Sequence, residues 1–465
     1  MASLQSAPSS PTQPRNKKGG FIVAEPPKFD LESYIQNYQG RTRLDRLIYI
    51  GVCSTFLGVE ALKLAVREAK AGKDIRKYFE AQAHLETIGP EEPEAVRDKS
   101  WIDRVSKQND AETKRLEEEL KGYKNNLVKE SIRMGNEDLG KHYHAIGELP
   151  KAFEAFSRMR QDISASKQII DVSRHLINVA AEQKNWIAIN SNVQKVKSAI
   201  AGTAEEASVQ PYLHAVQGLA HFDVGDYSEA ANSFLWTEPG LAQSAATIIS
   251  PNDVAVYGGL CALATMDRNQ LQRRVLENSS FRTYLEMEPQ IRRAISFFIN
   301  SRYTNCLQVL ESYRADYLLD IYLHRHIDEI YQLIRGKCIV QYFIPFSSVT
   351  LASLNSGFAP LGKTMDKELI AMIQRGDLDA RINTVDGLLE SRKVDPRAEL
   401  QREALRMAED YEKEAGRRIL HMHISMAGIE VKSPKRSHGG QADAAFFQDE
   451  GHRLGGGPGN RGLQY

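Results

Sequence analysis

The chain has 465 residues, and its 60 Lys+Arg residues balance 60 Asp+Glu residues to a formal net charge of +0. Hydrophobic residues make up 42% and charged residues 26%, as in ordinary globular proteins, which excludes a fibrous or wholly disordered chain. The balanced charge excludes a global basic field that would attract nucleic acid or an anionic membrane. We therefore expect no direct nucleic-acid partner and no membrane partner.

The compartment is predicted from cysteine usage and from the first residues. The four cysteines are isolated in the sequence, which argues against a disulfide framework or a zinc ribbon. The start, MASLQSAPSSPTQPRNKKGG, lacks the apolar core of a signal peptide. We expect a protein of the cytoplasm and nucleus, with a disordered tail over residues 1–28.

An N-terminal helical region is predicted over residues 29–133. Its first apolar residues, from Leu31 to Ile48, recur at roughly helical spacing. Between Trp101 and Met134 the sequence becomes charge-dense, with mixed signs and a thin apolar seam. This pattern predicts one solvated helix.

Residues 134–250 carry an internal repeat. Gly140, Ala152 and Phe156 occupy offsets of a tetratricopeptide repeat, and the same offsets recur around Gly218 and Phe234. The spacing leaves room for a degenerate middle unit that contains Trp186. Small residues let the two helices of a hairpin approach closely, so the pattern predicts stacked helical hairpins that form a solenoid.

The next two segments are predicted to be a helical part, residues 251–346, and a winged helix, residues 347–395. MDKELIAMIQRG is an amphipathic helix that ends at Gly376. LDARINTVDGLLES then alternates apolar and polar residues on both sides of a turn at Asp386-Gly387. Helices followed by a two-stranded hairpin are typical of a winged helix.

The stretch GFAPLGKT, Gly357 to Thr364, matches the phosphate-binding motif G-x-x-x-x-G-K-[ST]. A working phosphate loop follows a strand and belongs to a parallel sheet, and the preceding sequence is helical instead. We interpret the motif as a helix end at Gly357, a turn at Pro360 and a cap at Thr364. A nucleotide hydrolase that uses Gly357–Thr364 remains an alternative function.

A long helix is predicted over residues 396–431, before a Gly-rich tail over residues 432–465 that we expect to be disordered. Apolar residues recur in the helix at three- and four-residue steps. Little of its own domain remains for such a seam to pack on. The seam therefore predicts contact with helices of other chains, and folding back on the winged helix is the alternative.

The central sequence resembles a known family. SPNDVAVYGGLCALATMDRNQLQRRVLENSSFRTYLEMEPQIR, YRADYLLDIYL and IVQYF are similar to the family of subunit 1 of the COP-nine signalosome, and more distantly to the matching proteasome-lid subunit. Both belong to the PCI-domain family. The resemblance implies an all-α fold, a tetratricopeptide-like helical-repeat solenoid followed by a PCI winged helix with a small β-hairpin and a long C-terminal helix.

The resemblance also implies a function. It implies a non-catalytic scaffold subunit of the complex that removes Nedd8 from cullin-RING ubiquitin ligases, with a subunit of the proteasome lid as the alternative. The implied partners are other PCI-domain subunits, the zinc metalloprotease subunit of the same complex and cullin-RING ligase components. No cofactor, metal or catalytic residue is expected in this chain.

Three H-x-H pairs invite comparison with that metalloprotease, whose motif continues with a serine and an aspartate. They are His142/His144, His324/His326 and His421/His423. None is followed by serine at the required position, and residues i and i+2 of a helix point apart. We predict that none of these pairs binds zinc.

The predicted assembly interface has two parts, the hairpin and the seam of the C-terminal helix. The hairpin strands would pair with the sheet of a neighbouring winged helix by strand addition. The predicted interface residues are Ile382, Val385, Leu388, Leu405, Ile419, Met422, Met426 and Ile429.

Overall fold

The computed structural model describes residues 21–160, 163, 165–201, 206–239, 248–359, 365–392 and 396–429. The chain divides into two units, Met1–Arg392 and Lys393–Tyr465. The described residues are mainly α-helical with one small sheet, which confirms the predicted fold class. The helices of the first unit are α1 (Leu31–Gln36), α2 (Gly40–Cys53), α3 (Gly58–Ala71), α4 (Ile75–Ile88), α5 (Lys99–Asn125), α6 (Lys129–Ile146), α7 (Leu149–Met159), α8 (Ser166–Glu182), α9 (Trp186–Ile200), α10 (Glu206–Val224), α11 (Tyr227–Leu235), α12 (Pro251–Thr265), α13 (Arg268–Gln270), α14 (Ser279–Met287), α15 (Pro289–Ile299), α16 (Tyr303–Ser312), α17 (Arg314–Leu318), α18 (Ile327–Phe343), α19 (Leu351–Phe358) and α20 (Asp366–Arg375).

The remaining elements complete this order. Short 3-10 helices span Pro93–Ala95 and Leu323–Arg325, and a π-helix, Leu271–Leu276, continues α13. The strands are β1 (Ser348–Thr350), β2 (Ala380–Asn383) and β3 (Leu388–Ser391). The second unit contains α21 (Pro396–Met426). None of the helices in the described ranges is long and apolar enough to cross a membrane.

The predicted N-terminal tail is too long. Val23 is buried, and its N–H donates to the Cys53 carbonyl at 2.8 Å at the end of α2. Lys28 N–H donates to the Asp316 carboxylate at 2.8 Å. Residues 21–28 are therefore held by contacts with distant parts of the chain, which the Pro-containing local sequence does not reveal.

The charge-dense segment is two helices rather than one. α5 ends at Asn125, Leu127 adopts a left-handed φ of 54°, and α6 begins at Lys129. The turn lets Leu116 and Leu120 of α5 join a buried cluster with residues of α6 and α7. The predicted solvated surface is correct for most of α5, where only four residues are buried, but the predicted continuity is wrong.

The repeat region consists of helical hairpins. α6 pairs with α7, α8 with α9, and α10 with α11, in the order that the repeat spacing predicts. A Cβ atom at Gly140 would lie 2.6 Å from the Phe156 ring, and one at Gly218 would lie 2.7 Å from the Phe234 ring. The predicted close approach of paired helices is therefore present in the first and third hairpins.

The helices from α12 to α18 carry the densest part of the core. The Ser250 side chain accepts a hydrogen bond from Asp253 N–H at 3.1 Å, and the Asp253 carboxylate accepts from Ser250 N–H at 3.0 Å. This capping box starts α12, which is buried along most of its length. A Cβ atom at Gly259 would lie 2.3 Å from Ile291, so α12 and α15 approach each other as closely as the repeat helices do.

Candidate assembly surface

The winged helix is built on α20, whose apolar residues face the core. Met365, Leu369 and Met372 are buried, as the amphipathic pattern predicts. α20 ends at Gly376, which has a left-handed φ of 82° and follows Arg375 as the predicted C-cap. The buried side of α20 faces α18, since the Met372 side chain lies 3.6 Å from the position that a Cβ atom of Gly336 would take.

The sheet has three strands rather than the predicted two. Its order is β1-β3-β2, and both pairings are antiparallel. Leu388 lies on β3, the central strand, opposite Asn383 of β2 and Thr350 of β1, so strands of the same chain lie on both sides of it. The prediction that Leu388 offers backbone groups for strand addition is therefore wrong. The sequence analysis missed β1 because three residues, Ser348–Thr350, are too few to show a strand pattern.

β2 is an edge strand, and Ile382 has its backbone on the free edge. Arg392 N–H donates to the Asp379 carbonyl at 3.2 Å across the β2–β3 pair. Hydrogen-bonded and non-bonded pairs alternate in an antiparallel ladder, so Arg381 is bonded to β3 and Ile382 is not. Ile382 stands opposite Leu389, which is buried, and its side chain packs against the core. Its N–H and C=O are thus available to a neighbouring strand, whereas its side chain supports the fold.

The turn between β2 and β3 presents Val385 to solvent. The Asn383 side chain accepts hydrogen bonds from Val385 N–H at 3.1 Å and from Asp386 N–H at 3.3 Å. Gly387 completes the turn with a φ of 67°. Val385 is 91% exposed, so this predicted interface residue contributes almost nothing to the isolated fold.

α21 has an unpartnered apolar seam. Among the side chains of this helix that the structure describes, all are exposed or half-buried. The predicted seam residues Leu405, Ile419, Met422 and Met426, with Ile429 beyond the helix, are between 56% and 85% exposed. The sequence analysis missed Leu420 and Ile424, which are 61% and 37% exposed and extend the apolar surface around the last turns. Apolar side chains on more than one side of the last turns are typical of a helix that is buried among several others.

The phosphate-loop hypothesis fits poorly with its surroundings. Gly357 belongs to α19, so a helix rather than a strand precedes the motif. Residues 360–364 lie outside the described ranges, and with them Thr364. The residue that precedes α20 is Met365, whose N–H donates to the Asn355 side chain at 3.0 Å.

The first two H-x-H pairs have separate partners. His142 Nε2 lies 2.8 Å from the Thr113 hydroxyl, whereas His144 Nε2 lies 2.8 Å from the Glu182 carboxylate. The next pair lies in and after a 3-10 turn rather than in an α-helix, and it also diverges. His324 Nδ1 lies 3.0 Å from a backbone carbonyl, and His326 Nδ1 lies 3.1 Å from a tyrosine hydroxyl. Within the described residues no group of three or more His, Cys, Asp or Glu side chains could hold a metal ion.

A buried ionic network escaped the sequence analysis. Arg46 of α2 is fully buried, and its guanidinium donates to Asp253 at 3.0 Å and to Asp320 at 2.5 Å. Tyr38 donates to the second oxygen of Asp253 at 2.6 Å, and Tyr257 donates to the second oxygen of Asp320 at 2.8 Å. The network joins the N-terminal helices to α12 and to the turn after α17. Its only local signal is the presence of acids within the apolar stretches SPNDVAVY and DYLLD.

The two acids of this network differ in pKa. Burial raises the pKa of Asp253 above its ordinary value, and this effect outweighs the opposing effect of Arg46. Burial also acts on Asp320, but the Arg46 guanidinium and the Leu323 N–H lower its pKa below the ordinary value. The Arg46 guanidinium thus compensates Asp320 more fully than Asp253.

The helical repeats and the winged helix together define the class of protein. The model of the family described as PCI domain matches residues 310–393, and that of 26S proteasome subunit RPN7 matches residues 98–274. The chain is thus a helical-repeat protein with a C-terminal PCI domain.

Relatives over most of the chain narrow this class to one family. COP9 signalosome complex subunit 1 of Emericella nidulans is 51% identical over 88% of this chain and 84% of its own length. The Arabidopsis thaliana protein of the same name is 34% identical over 90% of this chain and 94% of its own. The 26S proteasome non-ATPase regulatory subunit 6 of Dictyostelium discoideum is 20% identical over 76% and 90%. The chain belongs to the family of COP9 signalosome complex subunit 1.

Proposed function

We propose that this protein is a non-catalytic scaffold subunit of the COP9 signalosome, acting in the complex that removes Nedd8 from cullin-RING ubiquitin ligases. The observation that carries the proposal is the exposed apolar seam of α21, in a chain that is 51% identical to a signalosome subunit 1. The proposed partners are other PCI-domain subunits, the zinc metalloprotease subunit and cullin-RING ligase components, in the cytoplasm and nucleus. We propose no direct contact of this chain with nucleic acid or with a membrane.

The first assembly element is α21, which would insert into a bundle of helices from neighbouring subunits. Exposed apolar side chains on one helix are costly to leave in water, and burial contributes roughly 25 cal/mol per Å² of apolar surface. The broadening of the seam at Leu420 and Ile424 favours a bundle over a flat surface, because partners are then needed on more than one side.

A charge-matched pair of variants tests the helix. At 100° per residue, Leu405, Ile419 and Met422 share one face of α21, and Arg402, Arg406 and Lys413 lie off this face, N-terminal to Leu420 and Ile424. We expect the triple variant Leu405→Glu, Ile419→Glu, Met422→Glu to be lost from the complex after affinity purification from the native cell. The triple variant Arg402→Gln, Arg406→Gln, Lys413→Gln makes the same change in net charge and should be retained.

Two other results would change this proposal. Full retention of the first triple variant, or of a chain that ends at Pro396, would mean that α21 is not an assembly element. Recovery of the unmodified chain with proteasome subunits would assign it to the lid, the alternative that its 20% identical relatives represent.

The second assembly element is the free edge of β2. Strand addition would use the outward N–H and C=O of Ile382, and the exposed Val385 would contact the partner beside it. Ile382→Asp is an ambiguous test because the Ile382 side chain also packs in the core. Val385→Asp changes the same region and leaves the fold intact. We expect it to reduce recovery of PCI-domain partners without a change in melting temperature, and unaltered recovery would argue against this edge.

Binding of ATP or GTP tests whether the phosphate-loop motif, Gly357–Thr364, makes this chain a nucleotide hydrolase. We expect the full chain to bind neither ATP nor GTP in equilibrium dialysis. Saturable binding that Lys363→Ala abolishes would support the nucleotide hydrolase instead.

A further inference from the structure

A cavity of about 260 Å³ lies in the first unit, next to the buried Arg46 network. The segment before α1 and Tyr34 form one wall, the start of α12 and residues 288–290 form a second, and residues 313–320 form a third. Asp253, Tyr317 and Asp320 are buried, whereas Glu288 and Asp316 are half-buried. The cavity is therefore deep at the ionic network and accessible near Glu288 and Asp316.

The cavity carries an excess of negative charge. Its lining contains four carboxylates, of Asp253, Glu288, Asp316 and Asp320, and one cation, Lys28. Arg46, which is not part of the lining, offsets part of this negative charge through its ion pairs with Asp253 and Asp320. Two negative charges therefore remain without a matching positive charge at the cavity.

The two outer carboxylates are held in place but not neutralised. Glu288 accepts hydrogen bonds from the Asn252 side chain at 2.7 Å and from the Gln290 side chain. Asp316 accepts from the Lys28 backbone N–H at 2.8 Å. The Lys28 ammonium lies 4.1 Å from the centre of the Tyr313 ring instead of against either acid. Neither acid forms an ion pair among the described residues, but the Lys28 charge opposes the effect of burial on the pKa of Asp316.

Aromatic rings and one unsatisfied hydroxyl complete the lining. Tyr34, Tyr257, Tyr313 and Tyr317 all line the cavity. The Tyr317 side chain is 5% exposed, and its hydroxyl is buried without a hydrogen bond of normal length, although the Gln290 side chain is near enough to oppose the effect of burial on its pKa. Buried hydroxyls in folded proteins nearly always have a partner, so this one points to a group supplied from outside.

Carboxylates together with tyrosine faces are the groups that bind organic cations. Carboxylates accept charge-assisted hydrogen bonds from ammonium and guanidinium groups, and tyrosine rings attract the same cations. A metal ion is disfavoured, because the described residues contain no group of three or more acidic, His or Cys side chains arranged to hold one. The volume lies just below the range of about 300–1,000 Å³ for drug-sized ligands, which fits a single side chain or a small cation.

We propose that this cavity is a receptor for an alkylammonium or alkylguanidinium group, which binds between Glu288 and Asp316 and reaches the Tyr317 hydroxyl. The group belongs either to a lysine or arginine side chain of a polypeptide or to a free small cation. This inference does not depend on the proposed scaffold function, because it concerns a site in the isolated chain.

The test is a titration of the full chain with ethylguanidinium, followed by saturation-transfer NMR on the ligand. Ethylurea, a neutral molecule of nearly the same shape, is the ligand control. We expect saturable binding of ethylguanidinium and no binding of ethylurea. The double variant Glu288→Gln, Asp316→Asn keeps the shape of the site and should bind at least about tenfold more weakly.

Two further variants separate the site from general effects of charge. Glu286→Gln removes an exposed acid two residues from Glu288 that pairs with Arg282, and it should bind ethylguanidinium normally. Tyr317→Phe should weaken binding about threefold or more, since it removes the hydroxyl oxygen that would accept a hydrogen bond from the guanidinium. Equal binding by the unmodified chain and the double variant, equal binding of ethylurea, or no saturable binding to the folded chain would overturn the proposal.

Two arms of the same titration identify the source of the cation. If a partner supplies the side chain, the probe should bind the isolated chain and be excluded from the purified complex. If the natural ligand is a free cation, the probe should bind both equally.

Discussion

Gly140 and Gly218 each face the ring of a phenylalanine on the neighbouring helix. The contact leaves no room for a methyl group, since a Cβ atom would lie 2.6 Å from Phe156 or 2.7 Å from Phe234. The same spacing in two hairpins explains why the glycines recur in the sequence at equivalent positions.

A matched pair of glycine substitutions measures this contact. We expect Gly140→Ala to lower the free energy of unfolding by about 1–3 kcal/mol, the usual effect of overpacking. Gly122 lies within α5 and has nothing within 4 Å of its would-be Cβ atom, so Gly122→Ala should be neutral or stabilise by up to about 1 kcal/mol. Urea denaturation followed by circular dichroism measures both, and equal effects would refute the packing argument.

The outer acids of the cavity make stability depend on pH. Burial raises the pKa of Glu288 and of Asp316 above their ordinary values, with Lys28, Asp253, Asp320 and Arg46 as the charged neighbours. A carboxyl whose pKa is raised on folding binds its proton in the folded state first, so the folded state gains stability as pH falls from 7 towards the ordinary pKa.

The double variant Glu288→Gln, Asp316→Asn lacks this dependence. It should therefore be more stable than the unmodified chain at pH 7, and the difference should shrink as the pH approaches 4, near the ordinary pKa values of these acids. Denaturant unfolding at several pH values measures the difference. A difference that grows on acidification would show that the two acids stabilise the fold when ionised.

At the scale of secondary-structure elements, α12 and α21 differ in how far their side chains are buried. α12 is buried along most of its length, whereas α21 has no buried residue and carries apolar side chains into solvent. An isolated helix without tertiary packing is only marginally stable, even at the 31 residues of α21.

Amide hydrogen exchange should separate these two helices. In the free chain we expect the amides of α21 to exchange at least about a hundredfold faster than those of α12, because local opening of an unpacked helix costs little free energy. In the purified complex α21 should become protected and α12 should change little. Protection of α21 in the free, monomeric chain would contradict the proposal that its partners are other subunits.

At the scale of the whole molecule, the Arg46 network links distant parts of the chain. Arg46 lies 207 residues from Asp253 and 274 residues from Asp320, and it is the common partner of both acids. The network joins the N-terminal helices to the helical part of the PCI region through charges that are fully removed from solvent.

Removing this guanidinium should loosen that connection. We expect Arg46→Met to cost about 3–5 kcal/mol, the usual effect of leaving buried charges without a partner. Arg43→Met on the same helix removes a half-exposed ion pair with Glu68 and should cost less than about 1 kcal/mol. Differential scanning calorimetry measures both, and we expect a separate low-temperature transition for the N-terminal helices in Arg46→Met alone.

Local patterns in the sequence were sufficient for much of this architecture. The repeat offsets at Gly140 and Gly218, the amphipathic pattern of α20, the turn at Asp386-Gly387 and the apolar seam of α21 depend on residues close together in the chain. Short-range sterics and periodicity determine these features, so the sequence by itself predicts them.

Only the tertiary structure decided the features that depend on distant residues. β1 has three residues and exists because it pairs with β3, which makes Leu388 central and leaves the Ile382 backbone on the free edge. Val23, Arg46 and the acidic cavity are likewise defined by contacts across the fold. Burial of a charge or pairing of a short strand is favourable only when the fold brings its partner into contact. The periodicity of the sequence does not identify that distant partner.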